Sequence, residues 1–193
     1  FGSGGYETDF PPEIMKRSGG SVWFIGAHNN GPDSFTRHVL QKHPSRLDFF
    51  EPVMAYYQEL GPKWQGYENA SLHNFGLGKQ RESGTMYLAG SGSSLYQEIF
   101  FSGARLYLDK VGDAKYGREQ RETTEVEVQS AVQVWHSLGI RNLALIHMNC
   151  EGCEFEVVEQ LADAGLLAHV QVLYICLHLV LDDDESVQMC DQE

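Results

Sequence analysis

Apolar segments of strand length alternate with segments of helical periodicity along most of the chain. Strands are predicted at 21–25, 46–50, 143–148 and 170–177, and helices at 32–42, 52–60 and 153–164. Strands that alternate with helices form parallel sheets, because each parallel connection has to cross over a face of the sheet. The pattern therefore predicts an α/β fold whose mainly parallel sheet is covered by helices on both faces.

Weaker patterns complete the predicted organisation. Alternation at 67–75 and 84–89 indicates a third strand and a hairpin partner, and 125–128 is a short strand before a helix that ends at Leu138. The chain is thus divided into an arm at 1–20, a main domain at 21–181 with an insertion at 105–121, and an acidic tail at 182–193.

The net charge of −13 is concentrated near the carboxyl terminus. Residues 1–150 contain sixteen acids and fourteen bases, whereas residues 151–193 contain eleven acids and no Lys or Arg. Nucleic acids and anionic membranes bind basic surfaces, so the composition argues against both as main partners. No apolar run approaches the roughly 20 residues that a membrane span needs.

Ligands of parallel α/β sheets bind beyond the carboxyl ends of the strands. The loops at these ends are 26–31, the turn at Glu51, 74–78, 149–152 and the stretch after His178. The first loop, Gly-Ala-His-Asn-Asn-Gly, joins a strand to a predicted helix, which is typical of loops that bring a nucleotide-type ligand against backbone. It lacks the lysine of triphosphate-binding loops, which argues against a triphosphate ligand.

Glu51 ends the second predicted strand, 25 residues after Gly26. A carboxylate at this place commonly accepts hydrogen bonds from ribose hydroxyls. The alternative is a solvent-facing glutamate before the helix-opening Pro52. The neighbouring glycine-rich loop favours the ribose interpretation.

Four sequence blocks occur in a characteristic order. They are FIGAHNNGPDSFTRHVLQKHP with RLDFFEPVMAYYQEL, then LHNFGLGKQRESGTMYLAGSGSSL, then EVEVQSAVQVWHSLGIRNLALIHMNCEGCEFEVVEQL, and finally VQVLYICLHLV. The Phe-Glu-Pro and Glu-Gly-x-Glu motifs within them are the most specific. Between about residue 21 and residue 180 the chain resembles FkbM-type S-adenosylmethionine-dependent methyltransferases, which implies a Rossmann-like sheet.

The resemblance implies S-adenosylmethionine as cofactor and assigns its contacts. The first loop would pass under the methionine part, Glu51 would bind the ribose, and Asn74 with Phe75 would flank the adenine. The full set of implied cofactor-binding residues is Gly26, Ala27, His28, Asn29, Gly31, Glu51, Asn74, Phe75 and Asn149.

The resemblance also implies the catalytic residues. Asn149 and Glu151 match an acidic pair near the sulfonium and the acceptor, and His178 is the candidate for contacting or deprotonating an acceptor hydroxyl. A histidine can act as such a base near neutral pH. The alternative for His178 is a strand-end histidine that caps the backbone.

Two functions follow as hypotheses. The first is an O-methyltransferase that acts on a hydroxyl of a sugar or natural-product-like acceptor. The second is a catalytically inactive, methyltransferase-like subunit of a larger assembly, because Phe24 and Asn149 stand where the family usually has acids. The family sheet normally gains two more strands after the fifth, and the residues after His178 cannot supply them. We therefore expect a truncated sheet, whose open edge would suit a protein partner.

Cysteines and clustered acids raise the question of a metal. Cys150 and Cys153 form a CxxC motif, and His147 extends it to HxxCxxC, so a redox pair or half a zinc site is conceivable. The resemblance instead puts both cysteines at variable positions around Glu151-Gly152. Two of the four cysteines of the chain lie in or beside apolar runs, which suits buried free thiols. The acids at 182–185 form a DxD pattern that is more often a solvated loop. No metal site is predicted.

Overall fold

The computed structural model describes residues 20–29, 46–88, 123–150 and 152–175. The strands are β1 (Ser21–Ile25), β2 (Leu47–Phe50), β3 (Ala70–His73), β4 (Gly76–Gly78), β5 (Glu82–Tyr87), β6 (Thr123–Ser130), β7 (Leu143–Met148) and β8 (Val170–Ile175). The helices are α1 (Met54–Trp64), α2 (Ala131–Ser137) and α3 (Cys153–Asp163), and a 3-10 turn spans Leu166–His169. The predictions for 1–19, 32–42, 105–121 and 182–193 lie outside the described residues.

Five parallel strands form the main sheet in the order β3-β2-β1-β7-β8. The central strand β1 pairs with β2 and with β7, so that Ile25 lies between Phe50 and Met148. From β1 the chain continues to β2 and β3 on one side of the sheet and then to β7 and β8 on the other side. The carboxyl ends of the neighbouring strands β1 and β7 are therefore a topological switch point. The predicted α/β fold with a mainly parallel sheet is confirmed.

Helices cover both faces of this sheet, as predicted. α1 packs on one face, where the ring centroids of Trp64 and Phe49 are 4.5 Å apart. α2 and α3 pack on the other face, where Trp23 meets Trp135 edge-on at 5.6 Å. The central strand is therefore buried on both sides, which explains its uninterrupted apolar sequence.

The helix after β2 differs from the prediction at both ends. It begins at Met54 rather than at residue 52, and it continues through Gly61 and Pro62 to Trp64. Pro62 lacks an N–H and removes one hydrogen bond from the last turns. Trp64 is buried against the sheet, and burial of a large apolar side chain contributes about 2–3 kcal/mol, enough to keep the chain helical there.

The predicted hairpin partner at 84–89 was wrong in its pairing. β5 pairs antiparallel with β6, and the two form a separate sheet with β4 in the order β4-β6-β5. Met86 and Val126 bury their side chains together with Val53, so this small sheet has an apolar cluster of its own. Local alternation could not reveal the partner, because β6 is more distant in sequence than β3 and longer than the predicted strand at 125–128.

Candidate functional site

The loop after β1 is pressed against the loop after β7. Gly26 has a φ of 75°, and a Cβ atom built on it would lie 2.2 Å from the backbone oxygen of Asn149. The N–H of Asn149 in turn donates to the carbonyl of Ile25 over 3.0 Å. Glycine is therefore required at position 26 both for its backbone conformation and for the close approach of the two loops.

The same loop is also tied to the end of β2. The N–H groups of Gly26 and Ala27 both donate to the carbonyl of Phe50 over 3.1 Å. The next N–H, that of His28, donates to Oε2 of Glu51 over 2.6 Å. Backbone groups of three successive residues thus hold the first loop over the turn at Glu51.

Glu51 carries a buried carboxyl group at this turn, with only 4% of the residue exposed. Its Oε1 accepts the N–H of Val53 over 2.8 Å, while its Oε2 accepts the N–H of His28. Burial raises the pKa of Glu51 to about 7, although the two backbone hydrogen bonds act in the opposite direction. Each oxygen accepts one of these hydrogen bonds and retains a lone pair for a ligand hydroxyl.

Asn74 lies beside Glu51, and Phe75 follows Asn74 in the chain. Nδ2 of Asn74 donates to the carbonyls of Glu51 and Pro52 over 2.9 and 3.1 Å. The Phe75 ring lies 5.7 Å from that of Phe50. Asn74 therefore holds the Glu51 turn in place, a role that sequence reasoning missed, while Phe75 packs against the apolar core.

His28 and Asn29 connect the first loop to α1. The ring of His28 lies 4.1 Å from that of Tyr56, and burial lowers its pKa, which favours the neutral imidazole. The side-chain amide of Asn29 donates to Glu59 over 2.5 Å, and the backbone carbonyl of Asn29 accepts a hydrogen bond from Lys63. These contacts attach the first loop to α1 as well as to the sheet.

Glu154 organises the loop after β7. The residue is fully buried, and its carboxylate accepts the N–H groups of Cys150 over 3.0 Å and of Gly152 over 2.7 Å. Sequence reasoning used Glu154 only as the last residue of the Glu-Gly-x-Glu motif and did not assign it a role. The sequence did contain a signal for this role, because Glu154 lies in the first turn of the predicted helix at 153–164. An acid at such a position commonly accepts backbone N–H groups.

Cys150 and Cys153 form a disulfide across this loop, with Cα atoms 5.5 Å apart. Neither cysteine of the CxxC motif is therefore a free thiol. His147 does not join them, because its ring stacks on Tyr174 at 4.9 Å. Within the described ranges no three His, Cys, Asp or Glu residues are grouped as metal ligands.

The structure thus brings together most of the predicted site residues that it describes. Hydrogen bonds and packing connect the first loop, Glu51, Asn74 and Phe75, and Asn149 adjoins this group through its backbone while its side chain is exposed. Gly31, Glu151 and His178 lie outside the described residues. None of the described helices is long and apolar enough to cross a membrane.

Replacement of Gly26 by alanine should destabilise the protein by about 3 kcal/mol or more, because the new Cβ atom would overlap the Asn149 carbonyl at a positive φ. Urea unfolding measures the change. Gly61→Ala is the matched control, since nothing lies within 4 Å of its Cβ position and alanine favours a helix by up to about 1 kcal/mol. Equal stabilities of the two variants would contradict the close approach of the two loops.

Comparison with known proteins agrees with this geometry. A family model described as the methyltransferase FkbM domain matches residues 25–188, most of the chain. No curated protein and no solved structure matches the chain. The family match spans the main sheet from the end of β1 through β8, together with the candidate site. The chain belongs to the FkbM methyltransferase domain family.

Proposed function

We propose that this methyltransferase domain binds S-adenosylmethionine and transfers its methyl group to a hydroxyl of a small sugar or natural-product-like acceptor. The observation that carries the cofactor assignment is the buried carboxyl group of Glu51 beneath the first loop. A desolvated carboxylate that backbone donors hold in place is suited to accept two adjacent ribose hydroxyls. The family match supports the reaction class.

The residues around Glu51 fit a nucleoside-containing cofactor. Gly26 and Ala27 present a loop without bulky side chains, and Phe75 offers an aromatic wall for an adenine ring. Bound S-adenosylmethionine would supply a methyl group that its sulfonium already activates. The protein then has to position the acceptor in line and exclude water, and such positioning supplies most of the rate enhancement.

The acceptor side of the proposal rests on the β7 loop and on the segment after β8. The Asn149 side chain is exposed at the carboxyl end of β7, where it can donate to or accept from an acceptor hydroxyl. The family resemblance also assigns Glu151 to the acceptor side, and in this proposal His178 takes the proton of the attacking hydroxyl as general base. A neutral histidine is suited to this step near pH 7.

One observation favours the second candidate function, an inactive subunit that kept the fold. Phe24 stands where the family usually has an acid, and its ring is buried and stacks on that of Phe49 at 4.9 Å. Position 24 therefore offers no carboxylate to the ammonium group of the cofactor. A binding measurement with S-adenosylhomocysteine, the product formed from the cofactor, discriminates between the two functions.

We expect S-adenosylhomocysteine to bind the full chain and Glu51→Gln to weaken binding about 10- to 100-fold, because the variant loses hydrogen bonds from hydroxyls to a charged acceptor. Isothermal titration calorimetry measures both affinities. Glu125→Gln, which alters an exposed residue of β6 away from the site, should bind as the wild type does. No binding by the folded wild-type chain would favour the inactive subunit.

The affinity for S-adenosylhomocysteine should also rise about tenfold between pH 6 and pH 8, because Glu51 ionises through a pKa of about 7 and only its ionised form accepts hydroxyls with both oxygens. Burial lowers the pKa of His28 from its usual 6.5, so His28 titrates at a lower pH than Glu51. Calorimetry at several pH values tests this dependence. A wild-type profile as flat as that of Glu51→Gln would contradict the role of Glu51.

Replacement of His178 by alanine should leave the affinity for S-adenosylhomocysteine unchanged and lower methyl transfer at least about 100-fold, as expected for loss of a general base. The assay uses methyl-labelled S-adenosylmethionine with a panel of hydroxylated sugars and natural-product-like compounds. His169→Ala is the control, because His169 is exposed and precedes β8 at the opposite end of that strand. Equal activities of the two variants would refute the assignment.

A further inference from the structure

The disulfide between Cys150 and Cys153 lies in the loop that joins β7 to α3, next to the candidate site. Both cysteines are only partly buried, so a small thiol can reach the bond from solvent. The pair spans three residues in sequence and is therefore local. A bond of this kind does not cross-link distant parts of the fold, which separates it from disulfides whose main effect is global stability.

A second set of contacts holds the same loop independently. Glu154 accepts the N–H groups of Cys150 and Gly152, and it is fully buried. Both cysteines lie at the margin of one apolar core, whose fully buried members are on other residues, and the core on the other face of the sheet contains neither cysteine. Opening of the disulfide therefore releases one of two local constraints and leaves the domain folded.

The position of Cys153 allows reversible thiol exchange. Cys153 is the first residue of α3, and the acids Glu154 and Glu156 of the same turn disfavour a thiolate there, so the exchange starts from the thiolate of the reductant. Cys150 is the partner that re-forms the bond, since the Cα separation of 5.5 Å already lies in the range of a disulfide. The two cysteines thus have the arrangement of an exchanging dithiol.

The loop is also in contact with the proposed cofactor loop. The Cβ position of Gly26 lies 2.9 Å from the Cα of Cys150, and the Asn149 N–H donates to the carbonyl of Ile25. A change in the order of Asn149 and Cys150 is therefore transmitted directly to Ile25 and Gly26. No intermediate element is needed.

We propose that Cys150 and Cys153 form a thiol–disulfide switch that exchanges with small thiols of the glutathione class and sets the order of the cofactor loop. A thiolate of the reductant attacks one sulfur, forms a mixed disulfide and releases the other cysteine as a thiolate. A second reductant thiolate then attacks the reductant's sulfur in the mixed disulfide and releases the second cysteine as a thiolate. Two electrons and two protons pass to the protein, which ends with two thiols, while the reductant ends as its disulfide. The consequence for S-adenosyl ligands rests on the proposed function, but the switch itself does not.

The first experiment tests the exchange in the full chain carrying Cys176→Ser and Cys190→Ser, so that only the pair can react. The protein is equilibrated in mixtures of reduced and oxidised glutathione, trapped with an alkylating agent and weighed by mass spectrometry. We expect zero or two alkyl groups per chain, with a reversible transition between the two states and an unchanged far-ultraviolet dichroism spectrum. A pair that resists excess dithiothreitol, fails to re-form with oxidised glutathione, or opens only when the chain unfolds would overturn the proposal.

The second experiment tests the coupling without any ligand. Hydrogen exchange of peptides that cover 25–28 and 149–152 should be at least about threefold faster in the reduced protein, while peptides from β5 and β6 remain unchanged. The double variant Cys150→Ser with Cys153→Ser should behave as the reduced protein in every redox buffer. Equal exchange of both states at the two loops would refute the coupling.

Calorimetry with S-adenosylhomocysteine then separates this inference from the proposed function. We expect about tenfold weaker binding to the reduced protein, because its loop must be ordered on binding. If neither state binds while the alkylation and exchange results hold, the switch stands and the proposed function fails. If both states bind equally and exchange is unchanged, the switch fails and the proposed function stands.

Discussion

The contact between two backbones at the centre of the sheet determines the geometry of the candidate site. Gly26 approaches the Asn149 carbonyl so closely that no side chain fits between them. This approach fixes the distance between the loops after β1 and β7, and the hydrogen bonds of Gly26, Ala27 and His28 then fix the first loop over Glu51. The site is therefore built from main-chain contacts that tolerate many changes of side chain around them.

Burial of Glu51 in this geometry lowers the stability of the folded state. Because its pKa rises from 4.5 to about 7 on folding, the unfolded chain gives up the proton first as the pH increases. The folded state therefore loses up to about 3 kcal/mol of stability between about pH 4.5 and pH 7, relative to a carboxyl group with an unchanged pKa. A domain that needed only a stable core would favour an apolar or neutral residue here. A ligand that donates two hydroxyl groups would stabilise the ionised form and offset this cost.

Much of the frame could be predicted from the sequence, because buried strands and Gly-rich turns leave strong local patterns. The strands around 21–25 and 143–148 and the grouping of Glu51 with the first loop are examples. The course of α1 past Pro62 and the pairing of β5 with β6 could not be predicted, since burial of Trp64 and distant strand pairing decide them. For the site, the roles of Asn74 and Glu154 depend on which carbonyl or N–H group folding brings within reach.

Some residues of the site hold the loops together, and others have side chains that would contact the cofactor. Only the second kind can distinguish an enzyme from an inactive relative. Loop contacts made by Gly26 and Glu154 would persist in both, because they maintain the fold rather than the chemistry. Phe24 is buried and stacked, so its substitution for an acid adds packing and removes a charge without disturbing the frame. Glu51 is different, because its buried carboxyl group holds the N–H groups of His28 and Val53 and yet lowers the stability of the fold near neutral pH. In the proposed function, a ligand that donates two hydroxyl groups to Glu51 would offset this loss of stability, whereas an inactive subunit would have no such compensation.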